Sequence, residues 1–336
     1  MLSPRAALTP TPLRLLVAAG AAFAALAAPA VPATAAQDAP AAQDAPAAAD
    51  LPDDSVFLNY PDQVHAWVAA NPDDPRRPLI ESRIAAQPQA LWFSNYEPGS
   101  VTADVSAITG AAEQAGQVPV LVSYMIPNRD CGGASAGGAP DFPAYLEWTE
   151  RFAAGLGDGP SVVVLEPDSL ALTTCLGQAE RAERFASLGA AADIIHAASP
   201  QARVYFDAGH SGWHAPGTIA AVLNEAGVTQ HADGIYSNVS NYHTTQNETA
   251  FAEQVLAQLG DPDLRAVIDT SRNGNGPDGD AWCDPHGRLV GQNPTAATGS
   301  DRVDALLWIK RPGELDGCDG PAGRFSPDMA YELAGG

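Results

Sequence analysis

Val162-Val163-Val164-Leu165-Glu166-Pro167-Asp168-Ser169 is the stretch that decides the fold. Four consecutive apolar residues, three of them β-branched, read as a strand buried on both faces, the habit of parallel sheets. Pro167 has no N–H to donate and ends the ladder. Glu166 and Asp168 therefore stand at the C-terminal end of the strand, where α/β folds assemble their sites.

Outward from that strand the same pattern recurs. Further strand-like runs cover residues 90–93, 118–124, 203–206, 234–236, 265–268 and 305–309, and helical stretches cover 101–115, 143–156, 178–198, 216–225 and 249–259. Alternating strand and helix predicts parallel strands joined by right-handed crossovers. The expected fold is α/β, a distorted (β/α) barrel of about seven parallel strands, slightly short of the usual eight. Polar residues follow nearly every strand: Asn128, Arg129 and Asp130; Glu166 and Asp168; Asp207 and His210; Asn238 and Asn241; Asp269 and Arg272; Lys310, Glu314 and Asp316. A barrel would bring these ends to one rim and one cleft.

The chain has 336 residues, 17 Lys and Arg against 40 Asp and Glu, and a formal net charge of -23. Such acidity repels nucleic acid and anionic membrane surfaces, so neither is an expected partner. Residues 1–36 read as a secretory signal: Arg5 and Arg14 give the positive start, residues 15–28 the apolar run, and Ala33-Thr34-Ala35 a small-residue cleavage site. No arginine pair precedes the run, which favours the general secretory route over the twin-arginine one. The protein is expected outside the cell, free of the membrane once the signal is cleaved. Residues 37–50 repeat Gln-Asp-Ala-Pro and alanine and read as a flexible linker. Residues 51–336 are expected to form one large domain, as a monomer.

Cys131, Cys175, Cys283 and Cys318 suit two disulfides in an exported chain. Pairing neighbours in sequence gives Cys131–Cys175 and Cys283–Cys318, one of three connectivities. Each such loop, of roughly 35–45 residues, would remove about 4 kcal/mol of unfolded-state entropy in the simplest treatment. No Cys-x-x-Cys pair occurs and no histidine clusters beside the cysteines, so no metal is expected.

Carboxylates opposed across a groove, with aromatic platforms beside them, match glycoside hydrolysis: one acid protonates the leaving oxygen while another carboxylate activates water or attacks. Trp92, Trp213 and Trp282 are candidate platforms for sugar rings; Trp308, inside a strand, reads more readily as core. Lys310 is the only lysine in the chain, which suggests a site wanting a compact ammonium. Ser135 sits among Gly132, Gly133, Gly137 and Gly138, in a loop able to close over substrate or to serve as a plain turn.

Five motifs in order, YMIPNRDC (124–131), LEPDS (165–169), FDAGHSGW (206–213), SNVSNY (237–242) and WIKRPGELDG (308–317), carry a resemblance to glycoside hydrolase family 6, secreted cellulases acting on β-1,4-glucan. The resemblance runs over the whole domain after about residue 51. It implies inversion at the anomeric carbon, no cofactor, and cellulose or cello-oligosaccharide as partner. Asp168 matches the general acid, Asp130 the aspartate that assists it, and Asp316 the candidate base, with Lys310 and Glu314 as its neighbours and sugar contacts. Tyr124 matches the tyrosine beneath the sugar at the cleavage point. Asp207, His210, Trp213, Asn241, Trp282 and Arg288 match positions that bind substrate or shape the site. Cys131–Cys175 and Cys283–Cys318 are the pairings it implies.

Elementary electrostatics agrees with these roles. Burial and the neighbouring Asp130 would raise the pKa of Asp168, and the Lys310 ammonium would keep Asp316 ionised. A base held in a salt bridge accepts protons poorly, so Asp316 works directly, through a water chain, or by charge alone. The segment from Asn241 to the next helix and the span from Cys283 to Cys318 are short, which favours an open groove and internal cleavage. Exo action by the same site, another β-glucan as substrate, or an inert glucan binder are the alternatives.

Overall fold

The computed structural model describes residues 51–336; the signal and linker expected over 1–36 and 37–50 lie outside the described residues. Seven strands, β1 (Leu91–Phe93), β2 (Val120–Ser123), β3 (Ser161–Leu165), β4 (Ala202–Asp207), β5 (Gly234–Ser237), β6 (Arg265–Asp269) and β7 (Val303–Leu307), form one sheet in the order of the sequence. Every neighbouring pair is parallel. The sheet curls until its edge strands approach: Ala90 N donates to Trp308 O at 2.9 Å, and Trp92 Nε1 donates to Ile309 O at 2.8 Å.

The unbroken apolar run of β3 is explained by its period of two. Val162 and Val164 point into the barrel with Val120, Val122, Tyr205, Tyr236, Val267 and Leu307. Val163 and Leu165 point out, against an outer core that includes Leu121, Phe206, Ile235 and the inner faces of the helices. Burying a single valine or leucine side chain contributes about 1.5–3 kcal/mol, so this double layer dominates the stability.

Helices α1 (Gln63–Ala70), α2 (Arg77–Ile80, continued by a π-turn to Ala85), α3 (Val101–Ala115), α4 (Phe142–Ala153), α5 (Gln178–Ala198), α6 (Pro216–Glu225), α7 (Val228–His231), α8 (Thr245–Leu259) and α9 (Pro327–Leu333) complete the described fold. Their ends follow local chemistry. Asp141 caps α4 by accepting from Ala144 N at 2.8 Å, and Gly116, at φ 61°, stops α3. α8 begins earlier than residue 249, because Thr244 caps it by accepting from Asn247 N. Sequence periodicity did not anticipate α1, α2 or α7, which are short.

The crossover from β6 to β7 contains no helix; residues 270–302 run as irregular chain. Strand β7 ends at Leu307 rather than 309, since Trp308 turns its carbonyl to Ala90. The Trp308 ring is 1% exposed and packs among α1, α2 and α9 residues, with Nε1 donating to Gln292 O at 2.8 Å. It is core. Both disulfides form between sequence neighbours, Cys131–Cys175 and Cys283–Cys318.

Candidate active site

A groove of about 930 Å³ crosses the C-terminal rim of the barrel. Non-glycine residues with positive φ gather there: Asn128 (53°), Asp130 (54°), Glu166 (53°), Asp168 (67°), Asn238 (68°) and Ser240 (60°). Such backbone is costly for L-residues, on the order of 1 kcal/mol or more each, and persists only where surroundings enforce it.

Buried carboxylates do the enforcing. Glu166, fully buried, accepts from Ser123 Oγ (2.5 Å), Met125 N (2.6 Å) and Ile126 N (2.8 Å), fixing the exit of β2 to that of β3. Asp207 accepts from Leu170 N (3.1 Å), Ala171 N (2.8 Å) and Gly209 N (2.9 Å), fixing the β3 exit to β4. Asp269 accepts from Ser240 N (3.3 Å), Ser271 N (2.9 Å), Ile309 N (3.3 Å) and Lys310 N (2.9 Å), joining β5, β6 and β7. Arg184 of α5 reaches under the same rim, donating to Pro127 O (2.9 Å) and Asn128 O (3.0 Å), shortly before Asp130, and to Ser169 O (3.4 Å), next to Asp168.

On this frame Asp168 stands half-buried in the groove. Burial, then the charges of Asp207 and Asp130, push its carboxyl up to about 8. Asp130 Oδ2 accepts from Ser135 N at 2.8 Å, so the Gly-rich loop folds back on it. Tyr124 is buried beside both acids, edge-on to Trp92 at 5.2 Å between centroids. Its phenol is pushed up by burial and then by Asp168 and Asp130, so it stays protonated. The Arg129 guanidinium lies 4.3 Å over the Tyr124 ring and donates to Ser94 O (2.9 Å), Ser135 O (2.7 Å) and Tyr124 O.

Asp316 carries the opposite shift. Burial would raise its pKa, yet Arg272 and then Lys310 hold it at about 2. Arg272 Nη1 lies 2.8 Å from Oδ2 and Lys310 Nζ lies 3.0 Å from Oδ1. Tyr242 Oη (3.3 Å) and Asp284 N (3.2 Å) also donate to Oδ2. Lys310 was legible as a partner; Arg272, the stronger one, was noted only as a polar residue after β6. Glu314 lines the groove, ion-paired with Arg311 (3.2 Å) and accepting from Gln63 Nε2 of α1 (2.6 Å).

Trp92, Trp213 and Trp282 all line the groove, and Trp213 and Trp282 remain 36% and 56% exposed. Ser135, Asn241 and His210 line it as well. His210 stacks on His243 at 4.4 Å and lies 5.6 Å from Trp213. Burial, then His243 and His214, lower its pKa to about 3, so the imidazole is neutral. Sequence reading missed His243 and Gln63, for no local pattern marks them.

Two of the residues expected to bind substrate or shape the site, Asp207 and Arg288, lie outside the groove lining. The oxygens of Asp207 are taken by backbone amides. Arg288 lies behind the groove in a small cavity with Tyr242, Arg272 and Glu332, donating to Gly276 O (2.6 Å) and His286 O (3.2 Å). Among the described residues no cluster of three His, Cys, Asp or Glu is arranged to hold a metal, and no helix is long and apolar enough to cross a membrane.

Acid–base work on an acetal near neutral pH needs two carboxyls driven apart in pKa, and sugar rings need apolar faces to lie on. A parallel barrel that supplies both in one groove falls in the class of glycoside hydrolases. Comparison with known proteins narrows the class. The chain belongs to glycosyl hydrolases family 6, whose family model matches residues 55–334. It is 61% identical over 274 residues to Endoglucanase 1 of Streptomyces sp. (strain KSM-9), covering 81% of this chain and 76% of the relative. It is 54% identical over 269 residues to Endoglucanase A of Thermobispora bispora, covering 80% of this chain but 59% of that longer relative. A solved endoglucanase from Mycobacterium tuberculosis, in complex with a methyl-cellobiosyl thio-cellobioside, aligns with a TM-score of 0.78 at 40% identity, covering 84% of this chain and 97% of its own.

Proposed function

We propose that this protein is an endo-β-1,4-glucanase that cleaves internal bonds of cellulose and cello-oligosaccharides with inversion. Asp168 gives its proton to the glycosidic oxygen as the C1–O bond breaks, and water attacks C1 from the opposite face. Asp316 acts there chiefly through its charge, since Arg272, Lys310, Tyr242 and Asp284 already donate to its oxygens. The attacking water passes its proton to groove water. Asp130 supports Asp168 electrostatically, Tyr124 underlies the sugar, and Trp92, Trp213 and Trp282 carry the neighbouring rings.

The observation that carries this reading is that Asp168 and Asp316 line one groove in opposite surroundings, Asp168 against the charges of Asp207 and Asp130 and Asp316 ion-paired to Arg272 and Lys310. Internal cleavage is supported by the short run of chain between β5 and α8 and by the names of the relatives above. The two disulfides suit export through the signal at 1–36, with 37–50 as a tether.

The test follows viscosity and reducing ends together on carboxymethyl cellulose. Internal cleavage drops viscosity early, while few reducing ends have formed. Slow viscosity loss with steady cellobiose release would mean exo action, and no release with binding retained would mean an inert binder. Proton NMR of the first product should show the α-anomer; a β-anomer would refute inversion.

A further inference from the structure

We infer that Asp284 is a positioning residue for Asp316, and that it sets the orientation in which that carboxylate meets the reacting sugar. The inference rests on the reading of Asp316 as a working group of the hydrolase.

Asp284 is buried in the irregular chain between β6 and β7 and is not part of the groove lining. Its Oδ1 accepts from Asp316 N at 2.6 Å. Its Oδ2 accepts from Gly317 N (3.2 Å), Cys318 N (2.9 Å) and Asp319 N (2.9 Å). Successive amides converging on one carboxylate form an anion nest, here occupied by a side chain of the same protein. In return, Asp284 N donates to Asp316 Oδ2 at 3.2 Å. The exchange fixes main chain and side chain of Asp316 at once. It is strong enough to hold Asp284 itself at φ 49°, a conformation that costs an aspartate on the order of 1 kcal/mol.

The other restraints on Asp316 do not supply this. Arg272, Lys310 and Tyr242 hold the carboxylate oxygens of Asp316, whereas Asp284 also holds its main-chain N–H. The Cys283–Cys318 disulfide ties the same two segments, yet a single bridge leaves torsions free at both ends. Gly313 (φ 94°) and Gly317 (φ 131°) bracket Asp316 with backbone that has no intrinsic preference for one shape. The nest removes that freedom. It also ties the segment that carries Trp282, an exposed groove residue two positions before Asp284, to the segment of Asp316.

The experiment measures kcat and KM on cellopentaose for Asp284→Ala and Asp284→Asn, alone and in an Asp316→Asn background. A displacement near 1 Å costs up to about 100-fold in rate, so Asp284→Ala should lose roughly 10- to 100-fold in kcat, with KM within about twofold. Asp284→Asn keeps one acceptor oxygen and should recover part of that loss. In the Asp316→Asn background Asp284→Ala should cost nothing further, because two residues acting through one group do not add. Wild-type kcat in both variants, a change confined to KM, or losses that multiply with Asp316→Asn would each overturn the inference. If the alanine variant does not fold, the asparagine variant decides by the same split between kcat and KM. Wild type inert on every β-glucan would overturn the hydrolase reading and this inference with it. An active wild type, an impaired Asp316→Asn and unaffected Asp284 variants would overturn the inference alone.

Discussion

Replacing Asp168 with asparagine keeps the size of the side chain and removes the proton that the proposed mechanism spends. With its carboxyl raised to about 8 by burial and by the charges of Asp207 and Asp130, Asp168 keeps its proton near neutral pH, where an ordinary aspartate is ionised. Loss of a positioned general acid costs about 10²–10⁴ in rate when the leaving group needs protonation. Asp168→Asn should therefore lose that much kcat/KM on cellohexaose, measured by reducing ends or chromatography. On 2,4-dinitrophenyl β-cellobioside, whose leaving group departs as an anion, the loss should stay within about tenfold, because protonation contributes little there. A raised carboxyl pKa means the active form exists below it, so wild-type kcat/KM on cellohexaose should fall as pH climbs through about 8. Equal losses on both substrates, or full activity far above that pH, would refute the assignment of Asp168 as the acid.

Three other outcomes are expected. Trp282→Ala, at an exposed groove position, should raise KM for long substrates by about 1–2 kcal/mol of lost stacking, some 5- to 30-fold, with an unchanged melting temperature. Asp316 has its folded pKa depressed to about 2, so its contribution is present above 3.8 and lost as pH falls through about 2. That contribution is roughly 2 kcal/mol. Urea melts between pH 4 and 2 should show a gentler decline for Asp316→Asn than for wild type, and parallel slopes would count against it. Cys283→Ser with Cys318→Ser opens a bridge of sequence separation 35 and should cost about 2–5 kcal/mol, read from denaturant midpoints with the other disulfide intact.

Much of this molecule could be read before any coordinates. Residues 162–165 declared a doubly buried strand because side chains alternate faces whatever lies around them, and Val162 and Val163 do pack in separate cores. α3, α5 and α6 kept their expected bounds, since their periodic faces and stop signals are local. α1, α2 and α7 escaped notice because short helices depend on packing more than on pattern.

What local pattern could not disclose, without the family resemblance, was which acid does which job. Asp168, Asp207 and Asp269 share one local signature, an aspartate at the end of a buried strand. Asp207 and Asp269 spend their oxygens on amides up to 41 positions away, while Asp168 stands in the groove with its proton held by burial. Asp284 gave no sign at all, being an acid in an irregular loop until the fold laid the amides of residues 316–319 against it. Sequence fixes periodicity and therefore the barrel. Hydrogen-bond partners, and with them proton affinity, arise only when distant segments meet, so the division between scaffold and working carboxylates belongs to the tertiary structure.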